Sequence, residues 1–288
     1  QGLSFTTSLF FMKNFKLKTH YKKILADTIS PVSVYLKIRD QFPNSILLES
    51  SDYHGNDNSF SYICCNPIAS IKVEAKLITK TYPDHTTETK TVEPNKVTLE
   101  IDTFTKQFKT KNDKVFKFIN NGMFGFTAYD AVKYFEDITI SKKEDSIEIP
   151  DIYYAVYQNI IAINHFKNEA YIFAHCYECE SNIEAIDHLI KIQSFSSYDF
   201  KSKGEISSNL TDKAFKSNVD LAKKHCNRGD VFQLVLSKKF QQDFKGDEFN
   251  VYRALRSINP SPFLFYFDYG KFKIFGSSPE AQLIVENK

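Results

Sequence analysis

Hydrophobic and polar positions change period several times along this chain, and each change marks the edge of an element. Pro31, Val32, Tyr35, Ile38 and Phe42 follow Ser30 at helical spacing. A serine N-cap with proline at the first helical position predicts a helix over 31–41. The runs 46–49, 60–65, 69–74, 76–82 and 86–92 are short and strand-like, separated by Asp/Asn/Gly/Pro clusters such as 52–58 and Asn66-Pro67. Connections this short predict mainly antiparallel pairing. A helix near 102–111, a turn at Asn120-Asn121-Gly122, a strand over 123–129 and a second helix over 130–135 come next.

Tyr153 to Asn164 and Ala170 to His175 predict a hairpin around His165-Phe166-Lys167-Asn168, and the stripe Ile183, Ile186, Leu189, Ile190 predicts a helix over 182–193. The Ser- and Lys-rich residues 194–209 read as a linker. Beyond it Thr211 caps a helix with Phe215, Val219, Ala222 and Cys226 on one face, Gly229 stops it, and a strand over 231–240 follows at once. Helices interspersed with runs of antiparallel strands define an α+β class, with mainly antiparallel sheets flanked by helices. The sequence contains no repeat period and neither of the glycine-rich phosphate-loop signatures.

At 288 residues the chain exceeds one ordinary domain, so one large or two smaller domains are expected. Its 37 basic and 35 acidic residues are scattered and leave a net charge of +2, which gives no footprint for nucleic acid or a membrane surface. Lysine-rich stretches over 13–23 and 106–117 alternate with aromatics and read as solvated faces over a core. Five cysteines, an odd count with no export signal before them, fit a reducing cytoplasm. Cys176-Tyr177-Glu178-Cys179 has the spacing of half a zinc site, but no second ligand pair accompanies it, so no metal is assigned there. The apolar run within residues 1–11 is too short to span a membrane, and Met12 is expected to be the native start. Val285-Glu286-Asn287-Lys288 follows an apolar run without a cap and reads as a C-terminal truncation.

Three places carry candidate chemistry. In the strand expected over 231–237, Gln233 shares a face with Val231 and Val235, so its amide needs a backbone, water or ligand partner. Asn259-Pro260-Ser261-Pro262-Phe263 holds an extended backbone ahead of a strand over 263–267, either as a pocket wall or as a plain connection. After a turn at Asp268-Tyr269-Gly270 and a strand over 271–275, Gly276-Ser277-Ser278-Pro279 presents Glu280 from a constrained turn. Packed against apolar neighbours that carboxyl would serve as a general acid, whereas facing solvent it would be an ordinary surface glutamate. The residues alone leave these readings open.

Taken in order, Arg228-Gly229-Asp230-Val231-Phe232-Gln233-Leu234-Val235-Leu236-Ser237, the Asn259 to Phe263 block and Gly276-Ser277-Ser278-Pro279-Glu280 resemble the chorismate-utilising enzymes. Leu47-Leu48-Glu49-Ser50, and Asn121-Gly122-Met123-Phe124-Gly125-Phe126 through Tyr129-Asp130-Ala131-Val132-Lys133-Tyr134-Phe135-Glu136, are similar to the N-terminal region of the anthranilate synthase component I family. The resemblance runs from about residue 20 to the end. It implies an extension over 1–19, a regulatory region over 20–193, a linker over 194–209 and the start of a chorismate-binding domain over 210–288.

The implied reaction adds a nucleophile to C2 of chorismate as the C4 hydroxyl leaves, with Mg²⁺ on the substrate carboxylate and Glu280 protonating the leaving hydroxyl. Pyruvate is then eliminated to give anthranilate for tryptophan biosynthesis. Water-using relatives carry a lysine where Gln233 stands. An amide cannot act as a base, so the implied nucleophile is ammonia, delivered by a glutamine amidotransferase subunit. Feedback inhibition by tryptophan is implied in a pocket of Glu49, Ser50, Asn259, Pro260, Ser261, Pro262 and Phe263, the carboxylate taking the ligand's amino group and the prolines walling its indole. Asn58-Ser59-Phe60-Ser61 lacks the basic residue that some relatives carry after the first block. The family's magnesium-binding glutamates and substrate-gripping arginine match no motif in the 288 residues, so the chain itself is expected to be inactive. Aminodeoxychorismate synthase component I and an inert tryptophan- or partner-binding module stand as the alternatives.

Overall fold

The computed structural model describes residues 13–50, 59–111, 116–140, 148–281 and 283–285. The expected start at Met12, the cluster 52–58 with Asn58, and the chain end at 286–288 lie outside the described residues. The first half forms β1 (Phe15–Leu25), α1 (Pro31–Ile38), β2 (Ile46–Glu49), β3 (Phe60–Glu74), β4 (Leu77–Thr81), β5 (Thr87–Thr91), α2 (Val97–Lys106), β6 (Phe108–Lys111) and β7 (Met123–Thr127). The second forms β8 (Ile152–Asn164), β9 (Glu169–Cys176), α3 (Ile183–Lys191), β10 (Phe200–Ser208), α4 (Asp212–Arg228), β11 (Phe240–Gly246), α5 (Phe249–Ile258), β12 (Phe263–Asp268) and β13 (Lys273–Ser278). They divide into two compact units, Gln1–Ser196 with Leu255–Lys288, and Ser197–Ala254.

The first unit is built on an eleven-stranded sheet with the path β13-β12-β2-β3-β8-β9-β1-β6, β4, β5 and β7 lying off it. Of its ladders among the described residues only β1 with β6 is parallel, as the α+β expectation requires. β3 and β8 pair along nearly their whole lengths, with one register shift between Pro67 and Ala69. Asn66 is left-handed there at φ 59°, and Pro67 has no N–H to give to a ladder, so the strand kinks without ending. The kink lets β3 take β2 on its first half and β4 on its second. One core therefore gathers Phe15, Ile71, Val73, Phe104 and Ile152, and another Ile46, Cys64, Tyr157, Ile160, Phe173 and Phe267.

Local chemistry explains the helix ends. Ser30 Oγ accepts from the Ser33 N–H at the start of α1, and Thr211 Oγ1 accepts from the Ala214 N–H at the start of α4. Gly229 closes α4 in the left-handed conformation at φ 81°. Gly125 has a different duty. A Cβ there would meet the Tyr153 carbonyl oxygen at 1.9 Å and Tyr154 Cα at 2.6 Å, both backbone atoms of the paired strand. Gly125→Ala is expected to destabilise the chain by about 2 kcal/mol or more, with the β7–β8 amides losing protection first in hydrogen exchange. Unchanged protection would refute it.

The lysine-rich stretch over 13–23, read as a solvated face over a core, enters β1: Phe15 and Leu17 are buried while Lys16 and Lys18 are exposed, a period of two. Other expectations need correction. The helix expected over 102–111 starts and ends earlier, behind a 3-10 turn at Pro94–Lys96, because Phe108 joins the sheet beside Phe15 with ring centroids 5.6 Å apart. The runs 60–65 and 69–74 are one strand, and the helix expected over 130–135 is a 3-10 segment, Tyr129–Tyr134.

In the second unit, the stretch expected as a linker over 194–209 contains β10, which pairs antiparallel with β11. Its Ser/Lys composition reflects near-complete exposure rather than lack of structure. The strand expected over 231–240 begins only at Phe240. A strand exists through its ladder, and none of the described strands pairs with 231–239.

Candidate functional site

β2 lies between β3 and β12, and this register places Glu49 opposite Leu264. Ile46 and Leu47 are wholly buried and anchor the strand, while Glu49, at its end, is only 5% exposed. A carboxylate so deep needs a hydrogen-bonded countercharge. Arg256, in the last turn of α5, supplies it: its Nε lies 3.0 Å from Oε1 and 3.1 Å from Oε2. The carboxylate expected to await an amino group therefore already carries a guanidinium partner.

α5 ends at Ile258, and the two prolines of Asn259 to Pro262 carry the chain to β12. That connection is pinned to β13. Ser277 Oγ lies 2.6 Å from the Asn259 carbonyl oxygen and 2.6 Å from Ser261 Oγ. A carbonyl can only accept, so Ser277 spends its one proton there and Ser261 donates to Ser277. Ser261 is buried, Ser50 and Pro262 are half-buried, and Pro260 and Phe263 are exposed. Sheet register thus gathers Glu49 and Ser50 with the Asn259–Phe263 block, a grouping of residues about two hundred positions apart.

His165 stands near this group. Its Nε2 lies 2.7 Å from Ser61 Oγ, and its pKa is pushed below the usual histidine value by burial first and by the Arg256 charge second. Neither Arg256 nor His165 was among the sequence candidates. The available signal was faint: Arg256 follows the buried Tyr252 by four positions, which puts it on the same helix face.

A second histidine, fully buried, fixes its own tautomer. His175 Nε2 is 2.8 Å from the Asn120 carbonyl oxygen, so this nitrogen bears the proton, and Nδ1, 2.9 Å from Thr19 Oγ1, accepts the hydroxyl. Burial lowers its pKa too. For both histidines the unfolded chain takes up protons at higher pH than the folded one, so their contribution is complete above the unfolded value of 6.5 and shrinks as pH falls below it. Urea unfolding is expected to show stability declining from pH 7 to 5.5, and His175→Gln should flatten that slope. An unchanged slope in the variant would exclude His175 as a contributor.

Glu280 leaves β13 on a turn where Ser278 Oγ donates to the Glu280 carbonyl at 3.1 Å, and its side chain faces solvent. Gln233 lies in the second unit, exposed and off any ladder, beside Phe232 and Val235, which are also exposed. The alternation expected to set it into an apolar strand face is therefore absent. Phe126, Thr127, Tyr129, Phe265, Phe267 and Ile274 border a separate concavity of about 380 Å³, apolar and without a carboxylate. Among the described residues no three His, Cys, Asp or Glu side chains converge to hold a metal ion.

The chain matches the family described as chorismate binding enzyme over residues 44–288. It is 31% identical over 284 residues to anthranilate synthase component 1 of Lactococcus lactis subsp. lactis (strain IL1403), covering 92% of this chain and 58% of that protein. It is 28% identical over 291 residues to anthranilate synthase component 1 of Aquifex aeolicus (strain VF5), covering 95% and 58%. The crystal structure of anthranilate synthase component I from Streptococcus pneumoniae TIGR4 superposes with a TM-score of 0.57 at 25% identity, covering 92% of this chain and 59% of that one. The chain thus spans about three-fifths of the length of these relatives.

Proposed function

The chain belongs to the chorismate-binding enzyme family, and from that premise we propose that an enzyme containing these residues converts chorismate and ammonia to anthranilate, pyruvate and water under feedback control by tryptophan. The observation that carries the reading is the register of β2 with β12, which sets Glu49 of one block beside the Asn259–Phe263 block. A carboxylate offers about four lone-pair sites. Arg256 Nε contacts both oxygens of Glu49, and in this reading the ammonium of an amino acid would share that carboxylate with it, while Pro260, Pro262 and Phe263 offer the indole a rigid wall.

In the proposed reaction ammonia forms a bond to C2 of chorismate as the C4 hydroxyl departs as water, taking its proton from Glu280. Loss of the enolpyruvyl group as pyruvate then aromatises the ring. Gln233 supports ammonia over water, since an amide cannot deprotonate water. The resemblance also calls for Mg²⁺ on the substrate carboxylate. The described residues offer no matching donor set, so no step is derived through it. A glutamine amidotransferase is the proposed ammonia source and the cytoplasm the proposed location, in keeping with five cysteines that are all free thiols in this structure. No helix of the described residues is long and apolar enough to cross a membrane.

A second reading, a tryptophan- or partner-binding module without turnover, is favoured for the 288 residues alone by the exposure of Glu280 and Gln233. Incubation of the enzyme with ammonium, chorismate and Mg²⁺ tests the first reading through anthranilate fluorescence and pyruvate release. Isochorismate as product would overturn it, and an aminated product without pyruvate would move it to aminodeoxychorismate synthesis. Calorimetry of the chain with tryptophan tests the second.

A further inference from the structure

Cys176 is the last residue of β9, buried and opposite Lys18 of β1. Beyond it the chain bends through Tyr177 and Glu178, and Glu178 adopts a left-handed φ of 49°. This turns Cys179 back over the strand end. Gln158 Nε2, on β8, lies 3.9 Å from Cys176 Sγ and 3.5 Å from Cys179 Sγ, so both sulfurs converge on one amide. Gln158 is itself held, its Oε1 accepting from Asn66 Nδ2. The geometry points to a redox-active dithiol at Cys176 and Cys179 that a small disulfide oxidant, such as oxidised glutathione, converts to an intrachain disulfide.

A metal site fits less well. The neighbouring His175 already uses both ring nitrogens, on Thr19 and Asn120, and no third ligand stands by among the described residues. Thiol–disulfide exchange needs only two sulfurs in reach and one accessible thiolate. Cys179 is exposed and Cys176 is not, which sets the order of events. The Cys179 thiolate attacks one sulfur of oxidised glutathione, forming a mixed disulfide and releasing one glutathione thiolate. Cys176 then gives up its proton and attacks the Cys179 sulfur, expelling the second glutathione. Two protein thiols are oxidised, one glutathione disulfide is reduced to two thiols, and the protein's two protons end on them. Burial raises the Cys176 pKa while the Gln158 amide lowers it, so Cys176 is suited to resolving a neighbour rather than to attacking from solution. Cys64 and Cys65 are wholly buried, with pKa values pushed up by burial, and stay outside this chemistry.

The test uses the whole chain carrying Cys226→Ser, which silences the exposed thiol of α4. After oxidised glutathione and alkylation, peptide mapping is expected to find one peptide with both Cys176 and Cys179, unalkylated, about 2 Da lighter than its dithiol form and restored by dithiothreitol. Cys176→Ser should trap glutathione on Cys179, and Cys179→Ser should slow reaction at Cys176 at least about tenfold. The unsubstituted pair decides the matter even if a variant misfolds. A glutathione adduct that persists on Cys179 beside an alkylatable Cys176, or no reaction at either, would overturn the proposal.

Discussion

Arg256→Ala is expected to destabilise the chain by about 3 kcal/mol, the lower end of what removing one partner from a buried ion pair costs. The Glu49 side chain is 2% exposed and Arg256 is 34% exposed, so truncation takes a charged partner from a buried carboxylate. Both carboxylate oxygens lose their guanidinium contact at once. Glu49→Gln should cost less, about 1 kcal/mol, because the amide oxygen still accepts from Arg256 and no buried charge remains. Urea unfolding of the two variants and their combination gives the coupling, and the double variant should be no less stable than Arg256→Ala alone. A cost for Arg256→Ala within about 0.5 kcal/mol of zero, the range of an indifferent surface site, would refute it. Glu49→Gln should abolish tryptophan binding measured by calorimetry, since Glu49 is the proposed partner of the ligand's ammonium.

Glu280→Gln should lower kcat for anthranilate formation by about 10²- to 10⁴-fold, the usual contribution of a positioned general acid. Glutamine keeps the size and hydrogen-bonding reach of the side chain and loses only the transferable proton. Chorismate binding should survive, so KM is expected to stay within a few-fold while kcat falls. A parallel rise in KM with kcat intact would instead assign Glu280 to substrate binding. The exposure of Glu280 makes the alanine variant a useful comparison, because at this site neither substitution disturbs a packed core. Fold stability should be the same for both.

Much of the fold is legible residue by residue where the governing physics is local. The caps at Ser30 and Thr211, the glycine stop at Gly229, the strand Ile46–Glu49 and the hairpin of β8 with β9 depend on neighbours within a turn or across a short loop, and all stand where the pattern places them. The family resemblance is legible for a similar reason: ordered short blocks need no contact information. β1 and β6 are harder to read. The buried side of β1 is hidden among exposed lysines until β9 is known to lie alongside, and Phe108 leaves the helix only because β1 offers a parallel ladder.

From its sequence alone this protein has an α+β class, its helix caps and an ordered set of candidate residues: Glu49, Ser50, Gln233, Asn259 to Phe263, and Glu280. Tertiary structure alone decides which of them meet. Glu49 and Arg256 are 207 positions apart and become an ion pair only through the ladder of β2 with β12. Cys176 and Cys179, close in sequence, share a donor only because β8 presents Gln158 to both. Gln233, expected on a strand face, sits on no ladder. Caps and turns are settled by interactions within a few residues. Ion pairs, ladders and shared donors depend on partners that chain topology brings from far away, and no local pattern encodes that choice.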